Sequence, residues 1–418
     1  MAPNTEQADS LATTVSSAPD ISRAGIGAAE FIFMMALMMA LSALSIDIML
    51  VALPAIDQQF HLSSDNHRQL MITFYMLGFA LGQPLFGPLA DRLGRKPVLA
   101  AGLVIFIVAS ALAAIASSYT ALLAARIVQG IGASSPRILA ITIIRDCSVG
   151  REMSRLMSFV MMAFIIVPIL APALGQSLLW LGDWPLMFWL LASAGVATLL
   201  WSGLRLRETR PESCATQRPS LIHSLGLLIR QPQVIGYTVA SGFAFGFLLS
   251  YVGSAQQVFM EIYDLGERFV LAFGSLASVL AVASLTNAKL VRRLGMRVVC
   301  HSGVVGLVLI NLPYLFSGLP EQPGFWWLYL YLGGSFYLLG LCLPNFNALA
   351  MEPLGRIAGI GAAFIGFYTT LAGAFFGMIF GQAYDGTVRP LVLAFFTLSL
   401  ATLITLLITE RGRLWQSH

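Results

Sequence analysis

Charge is what this sequence has least of. Of its 418 residues, 11% are charged and 57% are hydrophobic, whereas a soluble domain carries about 25% charged residues. A chain so poor in polar surface cannot face water on all sides, so part of its solvent must be lipid. That excludes an ordinary soluble enzyme. Cysteine is scarce as well. Cys147, Cys214, Cys300 and Cys342 lie far apart with no CxxC spacing, which excludes a disulfide framework or a thiolate metal site and predicts free thiols. Five histidines, His61, His67, His223, His301 and His418, form no H-E-x-x-H pattern, and no G-x-x-x-x-G-K-[ST] loop is present. No metal or other cofactor is therefore expected. A membrane enzyme or a sensor has no support either, because no nucleophile–base pair and no sizeable soluble insert is visible.

Long apolar runs are what the chain does have. A transmembrane helix needs roughly 20 mostly apolar residues. Twelve segments qualify: 30–54, 69–90, 97–117, 120–143, 156–180, 185–204, 233–255, 269–288, 298–317, 326–349, 358–383 and 390–409. The expected fold is an all-α polytopic membrane protein. Residues 1–28 are polar and lack the basic start of a signal peptide, so they are expected to form a disordered tail before a retained first span. The longest polar break, 205–220, divides the spans six and six. The expected units are a six-helix bundle at 29–204, a linker at 205–232, a second bundle at 233–409 and a tail at 410–418. Within the linker, 221–230 (LIHSLGLLIR) has the pattern of a surface-lying amphipathic segment.

The basic residues choose an orientation. With the N-terminus inside, 19 Lys and Arg fall in inner segments and 3, namely Arg68, Arg268 and Arg389, in outer loops. This asymmetry predicts both termini in the cytoplasm. It also accounts for the pI near 9 without nucleic acid, so the partners expected are the bilayer, protons and a small-molecule substrate, with a monomer sufficing. A weak internal repeat supports two related halves. LADRLGRK at 89–96 and LVRRLGMR at 290–297 each join the second and third spans of a half, and parallel six-span repeats are an attested transporter plan with the substrate site between them.

Asp47 is the one acidic residue well inside a predicted span. A charge at mid-bilayer costs about 2.5–3.5 kcal/mol on insertion scales and is functional by default. It fits either a proton carrier, its proton affinity set by desolvation and nearby cations in turn, or a buried structural ion pair. Arg126 is its natural partner. Each lies about six residues from the outer end of its span, roughly 9 Å deep at 1.5 Å per residue. Arg137, 11 residues after Arg126, points to nearly the same helix face. It would attract an anionic group of the substrate, pair with another span, or snorkel to the cytoplasm. The spaced glycines Gly78 and Gly82, and Gly373, Gly377 and Gly381, suit close helix packing, at a moving interface or a static one.

The stretch Gly87-Pro-Leu-Ala-Asp91-Arg92-Leu-Gly94-Arg95-Lys96 resembles the signature loop of the major facilitator superfamily. Leu123-Ala-Ala-Arg126-Ile-Val-Gln129-Gly-Ile-Gly-Ala133 is similar to its fourth-span motif. Ser45-Ile-Asp47 through Pro54 resembles the first-span motif of drug:proton antiporters, with Val51 where a proline is common. Pro168, Pro172 and Gly175 stand in an antiporter-like fifth span. Leu343 to Pro353, followed by Arg356 and Gly359, resembles the Bcr/CflA multidrug exporters. The resemblance implies a major facilitator fold of twelve helices in two halves. It further implies a latch at Gly87, Asp91, Arg92, Gly94, Arg95 and Lys96. Gly94 would permit a tight turn, Gly87 a close helix contact, and Asp91 would pair with nearby arginines. Arg126 and Gln129 would face a central cavity, and Tyr75, Phe243, Phe247 and Tyr251 would be walls of it. Asp47 and Arg126 would couple transport to protons. The function expected is proton-driven efflux of small amphipathic drugs across a bacterial inner membrane by alternating access. Export of a metabolite, such as a nucleoside, amino-acid derivative or siderophore, is the alternative that Arg137 favours.

Overall fold

The computed structural model describes residues 21–148, 150–210, 226–318 and 320–415. Twelve helices are long and apolar enough to cross a membrane, and no strand occurs among the described residues. Helices are what lipid demands, because each backbone N–H and C=O must be paired within its own segment there. Many large apolar side chains point outward as well as in. Leu204 is 83% exposed and Phe316 85%, which is sensible only against acyl chains.

An even number of spans returns the chain to its starting side, so the described ends share one face of the molecule, here the terminus face. The opposite one is the far face. Within the N-terminal half the fourth span, Tyr119–Cys147, is the hub. A Cβ on Gly78 would lie 2.0 Å from the Ile127 carbonyl, and one on Gly130 2.1 Å from that of Tyr75. The second and fourth spans therefore touch backbone to backbone, as small residues in membrane helices allow. In the other half the seventh span, Pro232–Gln256, packs on the eleventh, Ala358–Gln382. Gly373 and Gly377 there face Phe245 and Leu249 of the same half. These glycines are thus packing sites within a half. Gly381 differs, because it faces Gln69 of the other half.

Three expectations need correction. Residues 21–27 are ordered: Ile21–Ala24 is a 3-10 turn, Ala24 is fully buried, and its carbonyl accepts a bond from Arg207 N–H. An apolar residue with a partner in the linker is held there despite its polar surroundings. Residues 1–20, and 221–225 of the amphipathic segment, lie outside the described residues. The first span does not run through to Pro54. Its helix ends at Asp47, turns occupy 48–52, and a short helix, Leu53–Phe60, follows. Pro54 has no N–H for the Leu50 carbonyl, and its ring would collide with that carbonyl in a continuous helix. Finally, a Cβ on Gly87 would meet nothing within 4 Å, so the expected close contact is absent in this conformation.

Gly94 does have the predicted turn role, with φ of 105°, and Gly295 repeats it in the second half with φ of 84°. The contrast between glycines is testable. Gly78→Val should overpack the second–fourth contact, costing about 1–3 kcal/mol or the folded yield. Gly87→Ala should leave the thermal unfolding midpoint in detergent unchanged.

Candidate functional site

The break in the first span sets up the site. Beyond Asp47 the Met49 N–H bonds the Ile46 carbonyl rather than that of Ser45, and Ala52 N–H bonds Met49 rather than Ile48. The carbonyls of Ser45 and Ile48 are left over at a helix C-terminus, the negative end of its dipole. A cation fits there. Arg126 is fully buried, and its guanidinium donates to the Ser45 carbonyl (3.1 Å), the Met71 carbonyl (3.2 Å) and Gln129 Oε1 (2.6 Å). The Tyr75 ring lies 4.4 Å from its central carbon and Phe188 5.8 Å, so aromatic faces complete its shell. Gln129 Nε2 passes the chain of bonds to Ser110 Oγ on the third span (2.8 Å), and Tyr75 Oη donates to the Ser42 carbonyl (3.1 Å).

This overturns the expected Asp47–Arg126 ion pair. Arg126 binds the backbone two residues before Asp47, because the freed carbonyl is the nearer acceptor. The Asp47 carboxylate, 6% exposed, has no hydrogen-bond or ion-pair partner among the described residues. Gly175 of the fifth-span motif meets the same break, since a Cβ there would stand 2.6 Å from the Ile48 carbonyl. Pro168 and Pro172 lie one turn apart in that helix, Gly150–Leu181.

The other predicted cavity residues divide. Arg137 is half-buried, with its guanidinium carbon 5.5 Å from the Phe79 ring. Since Tyr75 and Phe79 are four residues apart, both arginines face the second span, as the helix period requires. Gln129 is fully buried inside its half and lines no cavity. Phe247 is likewise a core residue, stacked on Phe395 at 3.5 Å, because the seventh span turns that face toward the twelfth. Phe243 is half-buried and packs on Phe376 at 5.4 Å. Tyr251 is buried against Phe273 and Phe336.

The signature loop forms an ionic cluster on the terminus face. Arg95, only 1% exposed, bonds Asp91 (2.6 Å) and Asp146 at the end of the fourth span (2.8 Å). Lys96 Nζ donates to the Gly203 carbonyl (3.0 Å), and the Arg92 carbonyl accepts from Arg210 (2.9 Å). Sequence reading missed Asp146 and Glu208. An acid directly after Arg145, at the depth of the loop, was the available signal for the first. Glu208 caps the third span, accepting from the backbone N–H of Arg95 (2.9 Å) and Lys96 (3.1 Å). Partial burial opposes its ionisation, but the donors of Arg95, Lys96, Arg210 and Thr209 outweigh it and hold the carboxyl below the usual carboxylate range.

Polar bonds between the halves gather on the far face. Asn66 Nδ2 donates to the carbonyls of Gln382 (3.0 Å) and Tyr384 (2.8 Å), and its Oδ1 accepts from Gln257 (3.1 Å). Gln382 returns a bond to the Asn66 carbonyl (2.7 Å). Gln69 bonds Gln257, Arg68 pairs with Glu261, and Trp180 donates to Glu267 (3.0 Å). Gln257 and Glu261 sit on a π-helical end of the seventh span, Gln257–Ile262. Deeper in, Gln83 donates to Thr370 (2.8 Å). A polar depression of about 830 Å³ lies above this zipper, lined by Asn66, Glu261, Gln322 and Asp385 among others.

The sequence profile of one superfamily matches residues 35–378. The chain belongs to the Major Facilitator Superfamily. It is 26% identical over 361 residues to an uncharacterized MFS-type transporter, YdgK, of Bacillus subtilis (strain 168), covering 84% of this chain and 88% of that one. It is 33% identical over 224 residues to the multidrug resistance protein MdtL of Shigella dysenteriae serotype 1 (strain Sd197), covering 53% and 56% respectively. Its fold is that of two solved structures. The human organic anion transporter MFSD10 (TETRAN) has a TM-score of 0.68 at 17% identity, covering 92% of this chain and 100% of its own. A D-xylose-proton symporter has 0.70 at 15%, covering 90% and 97%. The chain is thus a multi-pass membrane transporter of this superfamily.

Glu208→Gln should lower the thermal midpoint at about pH 7, by a margin that shrinks as the pH is lowered. A depressed carboxylate stabilises the fold above its unfolded-state titration, and that gain is lost as pH falls through the folded-state value. Asn66→Ala removes three side-chain bonds between the halves. It should lengthen the distance between spin labels at Asp183→Cys and Glu321→Cys, read by pulsed electron resonance. An unchanged distance distribution would refute the zipper as a lock.

Proposed function

We propose that this chain is a proton-coupled exporter of small amphipathic compounds, including antibiotics, working by alternating access. The observation that carries the reading is Asp47, a buried carboxylate without a partner at the end of a broken membrane helix. An ion left unpaired in such a place is costly unless it takes up a proton. The flanking turns at 48–52 let it experience a different environment when the halves rock. Support also comes from the fifth-span glycine seated on the same break and from the name of the MdtL relatives.

The excess of Lys and Arg near the terminus face supports both termini in the cytoplasm and a bacterial inner membrane as the location. The zipped far face is then the outer gate, closed in this conformation. Asp47 releases its proton to the cytoplasm in this state and substrate enters. The latch around Asp91 and Arg95 re-forms its contacts with the second half as the inner side closes, which gives Gly87 the close neighbour it lacks here. With the outer gate open, Asp47 is protonated and substrate leaves. Each charge moved inward contributes about 2.3 kcal/mol per 100 mV. Arg126 acts as the fixed anchor of the broken end, and Tyr75 holds it in place. An anionic metabolite is the second cargo considered, favoured by Arg137 on the same face as Arg126.

Growth of expressing and non-expressing cells across a panel of toxic compounds should separate drugs from metabolites. In proteoliposomes with an imposed pH gradient, Asp47→Asn should abolish gradient-driven ethidium efflux. Efflux at the wild-type rate would exclude Asp47 as the proton carrier.

A further inference from the structure

The signature loop is repeated in the second half with a different charge. Aligned on Gly94 and Gly295, Pro88, Asp91 and Arg92 correspond to Lys289, Arg292 and Arg293. The charges of the first set cancel, whereas the second set is positive throughout. Asp91 gives Arg95 an ionic partner within its own loop (2.6 Å), but Met296 stands at the place of Arg95 in the repeat. Residues 269–316, the whole hairpin of spans eight and nine, contain no Asp or Glu. Of the cations there, Arg297 is paired with Glu410 (3.3 Å) and Glu352 (3.5 Å). Lys289, Arg292 and Arg293 are exposed, and none has an acid within ion-pair distance among the described residues.

Their place on the helix gives these charges a use. The eighth span, Phe269–Leu294, ends on the terminus face. At about 100° per residue, Leu271, Val282, Leu285, Lys289, Arg292 and Arg293 fall within an arc of about 100°. The buried residues Ala272, Phe273, Leu276, Ala283 and Asn287 lie on the other side. Leu271, Val282 and Leu285 are 74%, 54% and 71% exposed, so this arc faces acyl chains. Lys289 follows Leu285 by one turn and Arg292 follows Lys289 by another, about 10 Å from Leu285 in all. Hydrocarbon first and phosphate next is the order in which a phospholipid presents itself along that direction.

We propose that Lys289, Arg292 and Arg293 hold the phosphate of an anionic phospholipid whose acyl chain lies along Leu285 and Val282. An arginine can offer two parallel N–H donors to phosphate oxygens, and cations at the membrane surface attract anionic lipids. A nucleic acid or an acidic peptide would match the charge but not the apolar stripe beneath it. Other exposed cations on the terminus face are placed differently. Arg205 is bonded to Glu30, Arg155 lies against Glu152, and Arg210 donates to the Arg92 carbonyl. Arg411 and Arg413 follow the end of the twelfth helix at Thr409, beside Glu410. The site is independent of cargo and of proton coupling.

The test uses the full chain in mild detergent, titrated with dioleoylphosphatidylglycerol or dioleoylphosphatidylcholine and read by native mass spectrometry. The first phosphatidylglycerol should bind about tenfold more tightly than phosphatidylcholine, or better. Lys289→Gln, Arg292→Gln and Arg293→Gln together should erase most of that preference. Arg292→Asp alone, which copies the first half, should cut it about threefold or more. Because these side chains are exposed, the thermal midpoint of both variants should hold. Arg411→Gln with Arg413→Gln should leave the preference intact. In Leu285→Trp, phosphatidylglycerol with brominated chains should quench the added fluorescence more than brominated phosphatidylcholine at equal concentration. Equal affinity of the unaltered chain for the two lipids would overturn the proposal, as would full preference in both Arg292→Asp and the triple variant. Displacement of the lipid by polyadenylate or polyglutamate would assign the cations to a soluble polyanion instead.

Discussion

A helix broken inside a bilayer must find new partners for the carbonyls it frees, and in this chain one guanidinium does most of that. Water cannot serve at that depth. Arg126 reaches from the fourth span to the Ser45 carbonyl, while Met71 and Gln129 hold it at the correct height. The consequence is that Asp47, next along the chain, is left with its charge unspent. Had Arg126 paired with the carboxylate directly, the break would have lacked its cap. Structural support and proposed chemistry are separated by two residues, and the backbone takes the cation.

The two faces of the molecule solve different problems. On the far face, amides of Asn66, Gln69, Gln257 and Gln382 join the halves beside the Arg68–Glu261 ion pair. Each amide bond contributes about 0.5–1.5 kcal/mol net, because its groups would bond water if they were exposed. On the terminus face, Arg95 is buried between Asp91 and Asp146, and Glu208 caps the helix it starts. Burying that charge without its partners would be expensive, so this cluster keeps one half rigid.

Much of the fold was legible because lipid imposes a simple rule on length and composition. Twelve apolar runs became twelve helices, and the repeated turn at Gly94 and Gly295 has positive φ at both positions. The site was legible in its members but not in its bonds. Asp47, Arg126 and Tyr75 do gather at one place. Equal depth of Asp47 and Arg126 suggested a pair, but depth does not say which acceptor a guanidinium prefers once Pro54 has broken the helix. Phe247 and Gln129 were expected in a cavity from the family resemblance, yet the azimuth of each helix turns them into their own half.

The sequence alone determined the membrane solvent, the number of spans, the half-chain repeat and the isolation of one carboxylate, since each follows from local composition and spacing. Tertiary structure decided who bonds to whom. Asp146 and Glu208 reach the signature loop from 51 and 113 residues away, and Asn66 meets Gln382 across 316. Such contacts depend on how helices rotate and lean once packed. That is set by close approaches such as Gly78 on Ile127, which no hydropathy pattern encodes.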